Sequence, residues 1–446
     1  MYDAAKNIWT PVKGSYGISR RRIGWHSPAY SARDDAVLVY AHSSREATFA
    51  YRLDPATGSE ARPGRAGGTS RLYLDWDARM AKLPAQEPAA NIEKMPANRW
   101  VEMPGPSVPT KNWGSATVDT EKGVILYIGG GHSTYSGTDT AHYDIGAGRW
   151  SLSYPPEFPP FLRATSRTVF GWSYNQHPWA EHTRKWYAYD PVSRMMVYAR
   201  QGAGNKWITI HPDGADAKGF KPSGYCTMIY DPHLRQWYTP TWDRPWRTGD
   251  SSRLISTPNG VYAHAGGIWH CNVEKVGAGD KAGYVGKWKQ VFKEAPGTGS
   301  EFDATVYDSK RNRLVILTGS GKKPAMTFFD LGTGKSEKAL PEGKWNFFRE
   351  ACYIPDQDVI FTPDGYNGLG YYVYRCAQNK WIKVDIAPPM SGGKPIQRGA
   401  GKSSAAIVYD PVHKVLFYFS IGAPVNLMRY DDKSVKVRAE GGSREN

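Results

Sequence analysis

Short apolar segments alternate with polar turns along the chain, and one arrangement recurs. An apolar strand leads into a turn rich in Asp, Pro and basic residues, and a second apolar strand follows the turn. Because Asp caps its own backbone, Pro fixes φ, and β-branched and aromatic residues suit strands, each copy predicts a β-hairpin. The copies are YSARDDAVLVYA (30–41), ATVDTEKGVILYIGG (116–130), WYAYDPVSRMMVYAR (186–200), LISTPNGVYAHAGG (254–267), ATVYDSKRNRLVILTG (304–319), REACYIPDQDVIFTPDG (349–365) and AAIVYDPVHKVLFYFS (405–420).

Each hairpin is expected to belong to a larger unit of four strands. Most hairpins are followed by a third segment that contains Tyr-Asp or Phe-Asp and by a fourth that begins near a tryptophan, as in 142–155 and 228–240. Two further tryptophan segments stand alone and read as isolated fourth strands, NIWTPV (7–12) and ANRWVEMP (97–104). The repeating unit is therefore a small antiparallel sheet that cannot bury both of its faces by itself.

Seven such units predict an all-β chain that folds as one domain over 1–446, a seven-bladed β-propeller of four-stranded blades. Segment 7–12 is expected to close the ring by pairing with the final blade. Insertions at 62–97 and 156–182 are expected to decorate one face, where loops carry function. Two β-sandwich domains are the alternative, although no composition shift or linker marks a boundary. The blade starts fall near 30, 116, 186, 254, 304, 350 and 405.

Composition narrows the classes of function. Aromatic residues make up 13% of the chain, which excludes a disordered protein, and 47 Gly with 32 Pro argue against a helical bundle. No run of 18 apolar residues occurs, so no membrane partner is expected. The 57 Lys and Arg exceed the 42 Asp and Glu by 15, which favours an anionic partner, with a merely soluble basic surface as the alternative. The basic residues are spread along the chain, which is not typical of nucleic-acid binding.

The cysteines and the amino terminus leave the cellular compartment open. Cys226, Cys271, Cys352 and Cys376 form no CxxC pair, so one or two disulfides and buried free thiols are both compatible with their spacing. No apolar signal segment follows Met1. A monomer is expected.

The segment GGGHSTYSGTD (129–139) is the most unusual local sequence. Three consecutive glycines allow a tight bend and let a ligand approach the backbone closely. His132 and Tyr135 are then expected to project from this bend as site residues. The alternative is that the glycines serve only the turn between two strands and that His132 is a packing residue.

The segment HPWAEHTRKWYAYDPVSRMMVYAR (177–200) carries a second candidate site. His182 and Arg184 precede the first strand of a hairpin, and Arg200 ends its second strand, so pairing of the two strands brings these ends together. An arginine at a buried strand end requires a carboxylate partner or an anionic ligand. An ordinary salt bridge and an anion site both satisfy that requirement.

A third segment, YAHAGGIWHCN (262–272), holds the ligand types that zinc prefers, namely His264, His270 and Cys271. The two glycines between the histidines argue against one unbroken strand with both on the same face. A structural Zn or Ca ion is therefore the minor hypothesis, and no cofactor is expected to be required for chemistry.

Cationic and aromatic residues also recur next to the predicted blade starts. Arg253 and Arg349 occupy similar positions before or at first strands, and Trp113 lies beside another blade start. Several cations at one end of a ring form a funnel that attracts anions. Trp113 and Trp179 are candidate platforms for sugar rings.

The strand–turn–strand repeats, the GGGH turn and the tryptophan-led fourth strands resemble Kelch-type, galactose-oxidase-like propellers over about 22–440. The chain lacks the Tyr-His dipeptide of the copper radical oxidases. It is more similar to propeller polysaccharide lyases that act on ulvan or on rhamnose–glucuronate linkages. That resemblance implies a secreted or periplasmic enzyme that cleaves an acidic, uronate-containing polysaccharide or oligosaccharide by β-elimination.

The resemblance also implies roles for individual residues. Arg200 matches the arginine that neutralises the uronate carboxylate, and His132 and His182 match the residues that move protons. Where these lyases carry a tyrosine, this chain has Arg184, and Tyr189 is the expected substitute, with Tyr187 or Tyr135 as alternatives. A non-catalytic Kelch-type module that binds glycan or protein is the competing hypothesis. The substrate-binding set is Tyr135, Trp113, Arg184, Arg253, Arg349 and Trp179.

Overall fold

The computed structural model describes most of the chain beyond residue 90 and short segments before it. For 2–51 and for Arg200 the description is limited to the backbone. The described ranges are 2–3, 8–9, 26–31, 36–41, 47–51, 90–105, 115–129, 139–154, 178, 183, 185–200, 226–238, 241, 244–246, 252–278, 282–297, 303–319, 323–347, 349–364, 370–396, 406–420 and 423–438.

The described segments before residue 105 form two small sheets, one short helix and one strand, β6 (Val101–Glu102), that joins the last blade. Strands β1 and β2 pair with each other, and β3, β4 and β5 form a three-stranded antiparallel sheet. The bounds are β1 Tyr2–Asp3, β2 Ile8–Trp9, β3 His26–Ser31, β4 Ala36–Ala41, β5 Ala47–Tyr51, α1 Ala90–Glu93 and β6 Val101–Glu102.

Six four-stranded antiparallel sheets follow, and each is one blade of a ring. The first blade comprises β7 Ser115–Asp119, β8 Val124–Ile128, β9 Ala141–Asp144 and β10 Arg149–Leu152. The second comprises β11 Tyr187–Asp190, β12 Met195–Arg200, β13 Cys226–Asp231 and β14 Gln236–Trp237. The third comprises β15 Arg253–Thr257, β16 Gly260–His264, β17 Ile268–Val276 and β18 Gly283–Phe292.

The remaining three blades complete the ring. The fourth comprises β19 Ala304–Asp308, β20 Arg313–Thr318, β21 Ala325–Asp330 and β22 Ser336–Ala339. The fifth comprises β23 Cys352–Ile354, β24 Val359–Pro363, β25 Tyr371–Arg375 and β26 Lys380–Val384, with a 3-10 turn at Cys376–Gln378. A two-residue hairpin of β27 Met390–Ser391 and β28 Lys394–Pro395 leads to the sixth blade, which comprises β29 Ala406–Asp410, β30 Val415–Phe419, β31 Asn426–Met428 and β6.

The first strand of every blade lies at the centre, and neighbouring first strands touch all the way round. Contacts join β7 to β11, β11 to β15, β15 to β19, β19 to β23, β23 to β29 and β29 back to β7. Successive side chains of a strand point to opposite faces of its sheet, and most side chains of these first strands are buried. Each blade therefore packs one face against each of its two neighbours. The core is accordingly six clusters, one at each blade interface.

The β-propeller of four-stranded blades is confirmed, but the described part of the chain forms a closed ring of six blades, and the prediction of seven is wrong. The hairpin near residue 30 exists as β3 and β4, yet it belongs to the three-stranded sheet. The contact between β29 and β7 closes the ring directly. The other six predicted blade starts coincide with β7, β11, β15, β19, β23 and β29 to within two residues.

The ring is closed by β6, which was predicted as an isolated fourth strand. Val101 pairs with Leu427 and Glu102 with Asn426, so residues before the first blade supply the outer strand of the last blade. Trp100 packs at this closure between Tyr371 and Tyr418, with ring centroids 6.0 and 5.7 Å away. The prediction that segment 7–12 closes the ring is wrong, because β2 pairs with β1.

The predicted turn chemistry is confirmed in detail. Asp119, Asp190 and Asp410 each end a first strand and accept hydrogen bonds from backbone N–H groups two or three residues later. Asp308 ends another first strand and accepts hydrogen bonds from the Arg311 and Arg313 side chains. These carboxylates mark one end of the ring, which is called the turn end below.

The tryptophans that open fourth strands are structural. Trp150, Trp237 and Trp381 are buried within the blades, and Trp381 stacks on Trp345 with ring centroids 4.7 Å apart. All four cysteines are buried and carry free thiols. Of the helices in the described ranges, none has the length and apolar character needed to cross a membrane.

Candidate functional site

A cavity of about 270 Å³ runs along the axis of the ring between the six first strands. Its walls are small and apolar in the middle, with residues such as Ala116, Ala188 and Ala304. Charged side chains enter it near the end at which the first strands begin, which is called the channel mouth below. The cavity therefore combines an apolar middle with a charged end.

The positive charges of the mouth come from three different blades. Lys185 lies two residues before β11, Arg253 begins β15, and Arg349 lies three residues before β23, and all three line the cavity. The N–H of Leu254 donates to the Lys185 carbonyl at 2.8 Å, which places the starts of β11 and β15 side by side. The predicted convergence of Arg253 and Arg349 at one end of the ring is thus observed, and Lys185 joins them.

Glu350 is the carboxylate of the mouth. Its Oε2 lies 2.7 Å from the Lys185 Nζ, so an ion pair links the second blade to the fifth. The side chains are 7% and 20% exposed, respectively. Burial on this scale makes the pair sensitive to the loss of either partner. Lys185, which forms this pair, also lines the cavity.

Arg253 is rigidly held. Its side chain is almost completely buried, at 2% exposure, and its Nε and Nη2 donate to the Asp303 carbonyl at 3.1 and 2.9 Å. Its Nη1 donates to the Ser252 carbonyl at 2.8 Å. These bonds fix the guanidinium across the interface between the third and fourth blades. A fixed positive charge loses little entropy when a ligand binds.

Arg349 has a strained backbone. Its φ is +60°, in the left-handed region that costs L-residues about 1–2 kcal/mol. Other non-glycine residues with positive φ, such as Arg194, Asn312 and Lys414, lie in the tight turns between first and second strands. Arg349 instead lies at the mouth, just before β23, and is 5% exposed. Strain held outside a turn is a reason to look for function.

The segments that carry the predicted catalytic residues attach to the same end of the ring. The Thr183 hydroxyl donates to the Ile128 carbonyl at 2.7 Å, which joins the residue after His182 to the strand that leads into the GGGH turn. The N–H of Ala199 donates to the Trp186 carbonyl at 2.8 Å. By this register the backbone of Arg200 lies across from that of Lys185.

Burial controls the titration of the groups around Glu350. Desolvation raises the pKa of Tyr127 and of Tyr187 well above the ordinary value, and the negative charge of Glu350 adds to the effect. Burial also raises the pKa of the Cys352 thiol to about 12. These groups are neutral at physiological pH. The charged side chains of the described mouth include the lysine, the two arginines and Glu350, and the buried Asp139 and Asp303 lie at the same end of the ring.

Several predicted site residues lie outside the described residues. This applies to the proton-transfer candidates His132 and His182, and to the side chain of Arg200, whose backbone ends β12. It applies also to the substrate-binding candidates Tyr135, Trp113, Arg184 and Trp179.

Tyr189 lies in the core, at the opposite end of β11 from Lys185. Its N–H donates to the Thr117 hydroxyl at 3.0 Å, and its ring packs between the first and second blades. Burial and the nearby Asp119 raise its pKa. Tyr307, Tyr353 and Tyr409 occupy the equivalent register positions in three other blades. Tyr189 is one copy of a repeated structural residue, and this placement separates it from the mouth.

The three predicted metal ligands have other partners. The Nε2 of His264 donates to the Pro296 carbonyl at 2.6 Å, and its Nδ1 lies 3.1 Å from the Thr305 hydroxyl. His270 donates to the Asn259 carbonyl at 2.9 Å, and Cys271 packs in the core between the second and third blades. Within the described ranges no three His, Cys, Asp or Glu side chains are grouped as a metal site.

His264 also has an unusual titration. Its side chain is 1% exposed, and desolvation lowers its pKa to about 4. The imidazole is therefore neutral at physiological pH and acts as a hydrogen-bonding link between β16 and the start of the fourth blade. Its contact with Thr305, which lines the cavity, makes it part of the wall that supports the mouth.

Lys185 and Glu350 were not predicted from the sequence, although a signal for Lys185 exists. Lys185 lies close to the beginning of its first strand, as Arg253 and Arg349 do, although the three residues stand at different offsets. The histidines before it in 177–184 are more conspicuous and obscured this regularity. Glu350 is adjacent to Arg349, but nothing local in the sequence indicates that its partner lies 165 residues away, at Lys185.

Comparison with known proteins shows no close relative. No family profile matches the chain, and no curated protein matches it. Among solved structures it is similar to a chain of the mitotic checkpoint complex, at 13% identity over 78% of this chain and 98% of that one, with a TM-score of 0.36. It is also similar to a gluconolactonase from Xanthomonas campestris, at 10% identity, 80% and 99% coverage and a TM-score of 0.39.

A third similar structure is that of the WD40 repeats of RRP9, at 9% identity over 80% of this chain and 100% of that one, with a TM-score of 0.37. Scores this low add nothing to the fold assignment, which rests on the ring of six sheets. The resemblance to Kelch-type propeller lyases stays a prediction.

Proposed function

We propose that this propeller binds an acidic, uronate-containing polysaccharide at the channel mouth and cleaves it by β-elimination. The observation that carries the proposal is the gathering of Lys185, Arg253 and Arg349 around one opening of the ring. Three cations in a partly desolvated cleft attract a carboxylate more strongly than the same charges in open solvent. The net charge of +15 favours long-range attraction of a polyanion to the same surface.

The reaction needs a neutralised carboxylate before a proton can leave. The C5 proton of a uronate is weakly acidic, and a cation held against the carboxylate stabilises the negative charge that develops when the proton is removed. We assign this role to Arg200, whose backbone lies across from that of Lys185. Arg253 and Arg349 are assigned to hold the carboxylates of the same or neighbouring sugars.

Proton transfer completes the step. A base takes the C5 proton, the C4–C5 double bond forms, the C4–O bond breaks, and the leaving oxygen receives a proton from an acid. His132 and His182 are the proposed base and acid, because their segments join the described chain next to Ile128 and Thr183, which contact each other. The elimination needs no redox change and no cofactor.

The test is turnover on a panel of uronate polymers, followed by the ultraviolet absorbance of the unsaturated product. We expect product from at least one polymer, and loss of product in His132→Ala and Arg200→Ala with the fold intact. A matched control is Arg375→Ala, which removes an arginine that is ion-paired to Asp432. Folded protein that yields no product on any uronate polymer contradicts the proposal.

The same mouth supports a second candidate, a non-catalytic Kelch-type propeller that binds glycan or protein. The observation that favours it is the rigidity of Arg253, which suits binding without requiring chemistry. Unchanged affinity for a uronate polymer in His132→Ala, together with no turnover in the wild-type protein, supports binding alone. Secretion or periplasmic location, a monomeric state and a structural Zn or Ca ion stay predictions in either case.

A further inference from the structure

The Glu350 carboxylate opposes the attraction of the described mouth for anions. It lies 2.7 Å from the ammonium of Lys185, which also lines the cavity. A ligand carboxylate that reaches Lys185 meets an ammonium already engaged by a carboxylate of the protein. Two carboxylates that share one ammonium repel each other in a poorly solvated site.

We propose that Glu350 is a built-in competitor that sets the affinity of the channel mouth for carboxylate ligands. In the structure the Glu350 carboxylate is paired with the Lys185 ammonium. When a ligand binds, its carboxylate competes with Glu350 for hydrogen bonds from the Lys185 ammonium, and Lys185 then contacts the ligand. The ligand class, a uronate, rests on the proposed function, whereas the competition itself needs no turnover.

The backbone around Glu350 keeps the competitor in place. The Thr362 hydroxyl donates to the Glu350 carbonyl at 2.8 Å, which ties the residue to the end of β24. Arg349, immediately before it, adopts the strained left-handed conformation. Arg349, which lines the cavity, and Glu350, whose carboxylate pairs with Lys185, therefore occupy adjacent positions at the mouth.

The competition predicts a gain of function from the loss of a charge. Glu350→Gln leaves a side chain of the same size but removes the negative charge, so Lys185 becomes fully available to a ligand. Binding of D-glucuronate is expected to tighten by about tenfold or more, since one full charge interaction is removed from a buried site. Glu350→Asp, with a shorter carboxylate, is expected to fall between the two.

The experiment is titration calorimetry with D-glucuronate as the probe and D-glucose as the uncharged comparison. Lys185→Gln is expected to weaken glucuronate binding, and Glu350→Gln added to Lys185→Gln is expected not to restore the affinity that Glu350→Gln alone gives. Glu274→Gln is the matched control. The Glu274 carboxylate forms an exposed ion pair with the Lys287 ammonium at 2.6 Å, and neither residue lines the channel. Thermal unfolding of each variant establishes that it is folded.

Tighter glucuronate binding in Glu350→Gln, dependent on Lys185, supports the inference. Unchanged or weaker binding in a folded Glu350→Gln overturns it, as does absence of glucuronate binding in both proteins. If Glu350→Gln does not fold, Glu350→Asp decides in the same way. A lyase that fails on every polymer while Glu350→Gln binds more tightly refutes only the proposed reaction, and an active lyase with unchanged Glu350→Gln binding refutes only this inference.

Discussion

The backbone strain at Arg349 predicts that glycine is more stabilising than alanine at position 349, whereas alanine is more stabilising than glycine at position 253. Arg349 has a φ of +60°, whereas Arg253 lies in β15 in ordinary extended conformation. Both residues line the mouth and both are buried. Each residue is replaced by Ala in one variant and by Gly in another. Both variants at a position lack the guanidinium, so the stability difference between them reflects the backbone preferences of Ala and Gly.

The magnitude follows from two opposing effects. A left-handed conformation costs an alanine about 1–2 kcal/mol and a glycine almost nothing. Glycine loses more conformational entropy on folding, which costs about 0.5–1 kcal/mol relative to alanine. At position 349 the Gly variant is therefore expected to be more stable than the Ala variant by about 1 kcal/mol. At position 253 the Ala variant is expected to be more stable by about 0.5–1 kcal/mol, because only the entropy difference applies.

The measurement is urea unfolding of the four variants, followed by tryptophan fluorescence, with stabilities compared within each pair. Each pair cancels the loss of the guanidinium and its hydrogen bonds, so the absolute cost of removing an arginine does not enter. If Arg349→Ala is as stable as Arg349→Gly, or more so, the strain is absent. Reduced glucuronate binding is expected in both variants at 349 and to a similar extent, since binding depends on the missing charge.

Three further outcomes are expected. The Nδ1 of His413 donates to the Asp410 carboxylate at 2.5 Å, and this bond raises the pKa of His413. The pair therefore stabilises the fold fully below about pH 6.5 and less as the pH rises through the raised pKa. The melting temperature of His413→Gln should depend less on pH in this range than that of the wild-type protein, and an unaltered pH dependence would contradict this. Burial lowers the pKa of His264 to about 4, so stability falls as the pH drops from about 6.5 towards that value, and His264→Gln should lose part of this decline. Trp100→Ala should lower the free energy of unfolding in urea by about 3–5 kcal/mol, because Trp100 packs where β6 joins the last blade. The control Leu340→Ala, at an exposed position, should lower it by about 0.5 kcal/mol or less. Equal losses in the two variants would mean that β6 does not close the ring.

The blades could be predicted because their signals are local. An Asp that ends a strand and bonds to N–H groups two or three residues later is specified within one short stretch of sequence, as at Asp119 and Asp190. Hairpin positions followed from these stretches to within two residues for six blades. The 97–104 segment could also be identified as a fourth strand, because its tryptophan pattern matches that of the other fourth strands.

The number of blades could not be predicted, because ring closure is not local. The β3–β4 hairpin has the same strand–turn–strand pattern as the blade hairpins, and nothing within it shows that it lies in a different sheet. The number of blades is set by the contact of β29 with β7 and by the pairing of β6 with β31, which join residues more than 280 positions apart. A repeat count therefore gives an upper bound on blades, and closure contacts determine the number.

Site prediction divides in the same way. Arg253 and Arg349 were identifiable because a cation at the start of a first strand faces the axis of the ring. Tyr189 was misleading because the repeat itself places a tyrosine at that register in several blades, including Tyr307 and Tyr409. A residue that recurs at one register position across blades is explained by the fold, and a residue that departs from the repeat at the mouth is the better candidate for function.

The two ends of the ring carry charge for different purposes. At the turn end, charges join neighbouring blades, as Arg194 does with Glu121 and Arg311 with Asp358, at 2.6 and 2.8 Å. At the mouth, Lys185 and Glu350 form a partly buried pair between the second and fifth blades, beside a backbone held under strain at Arg349. Bonds between adjacent blades stabilise the ring whether or not a ligand is present, whereas a pair at the mouth lies on the path of any ligand that enters. Substitutions at the turn end should therefore change stability and leave affinity intact, and substitutions at the mouth should change affinity, in one direction for Lys185 and in the other for Glu350.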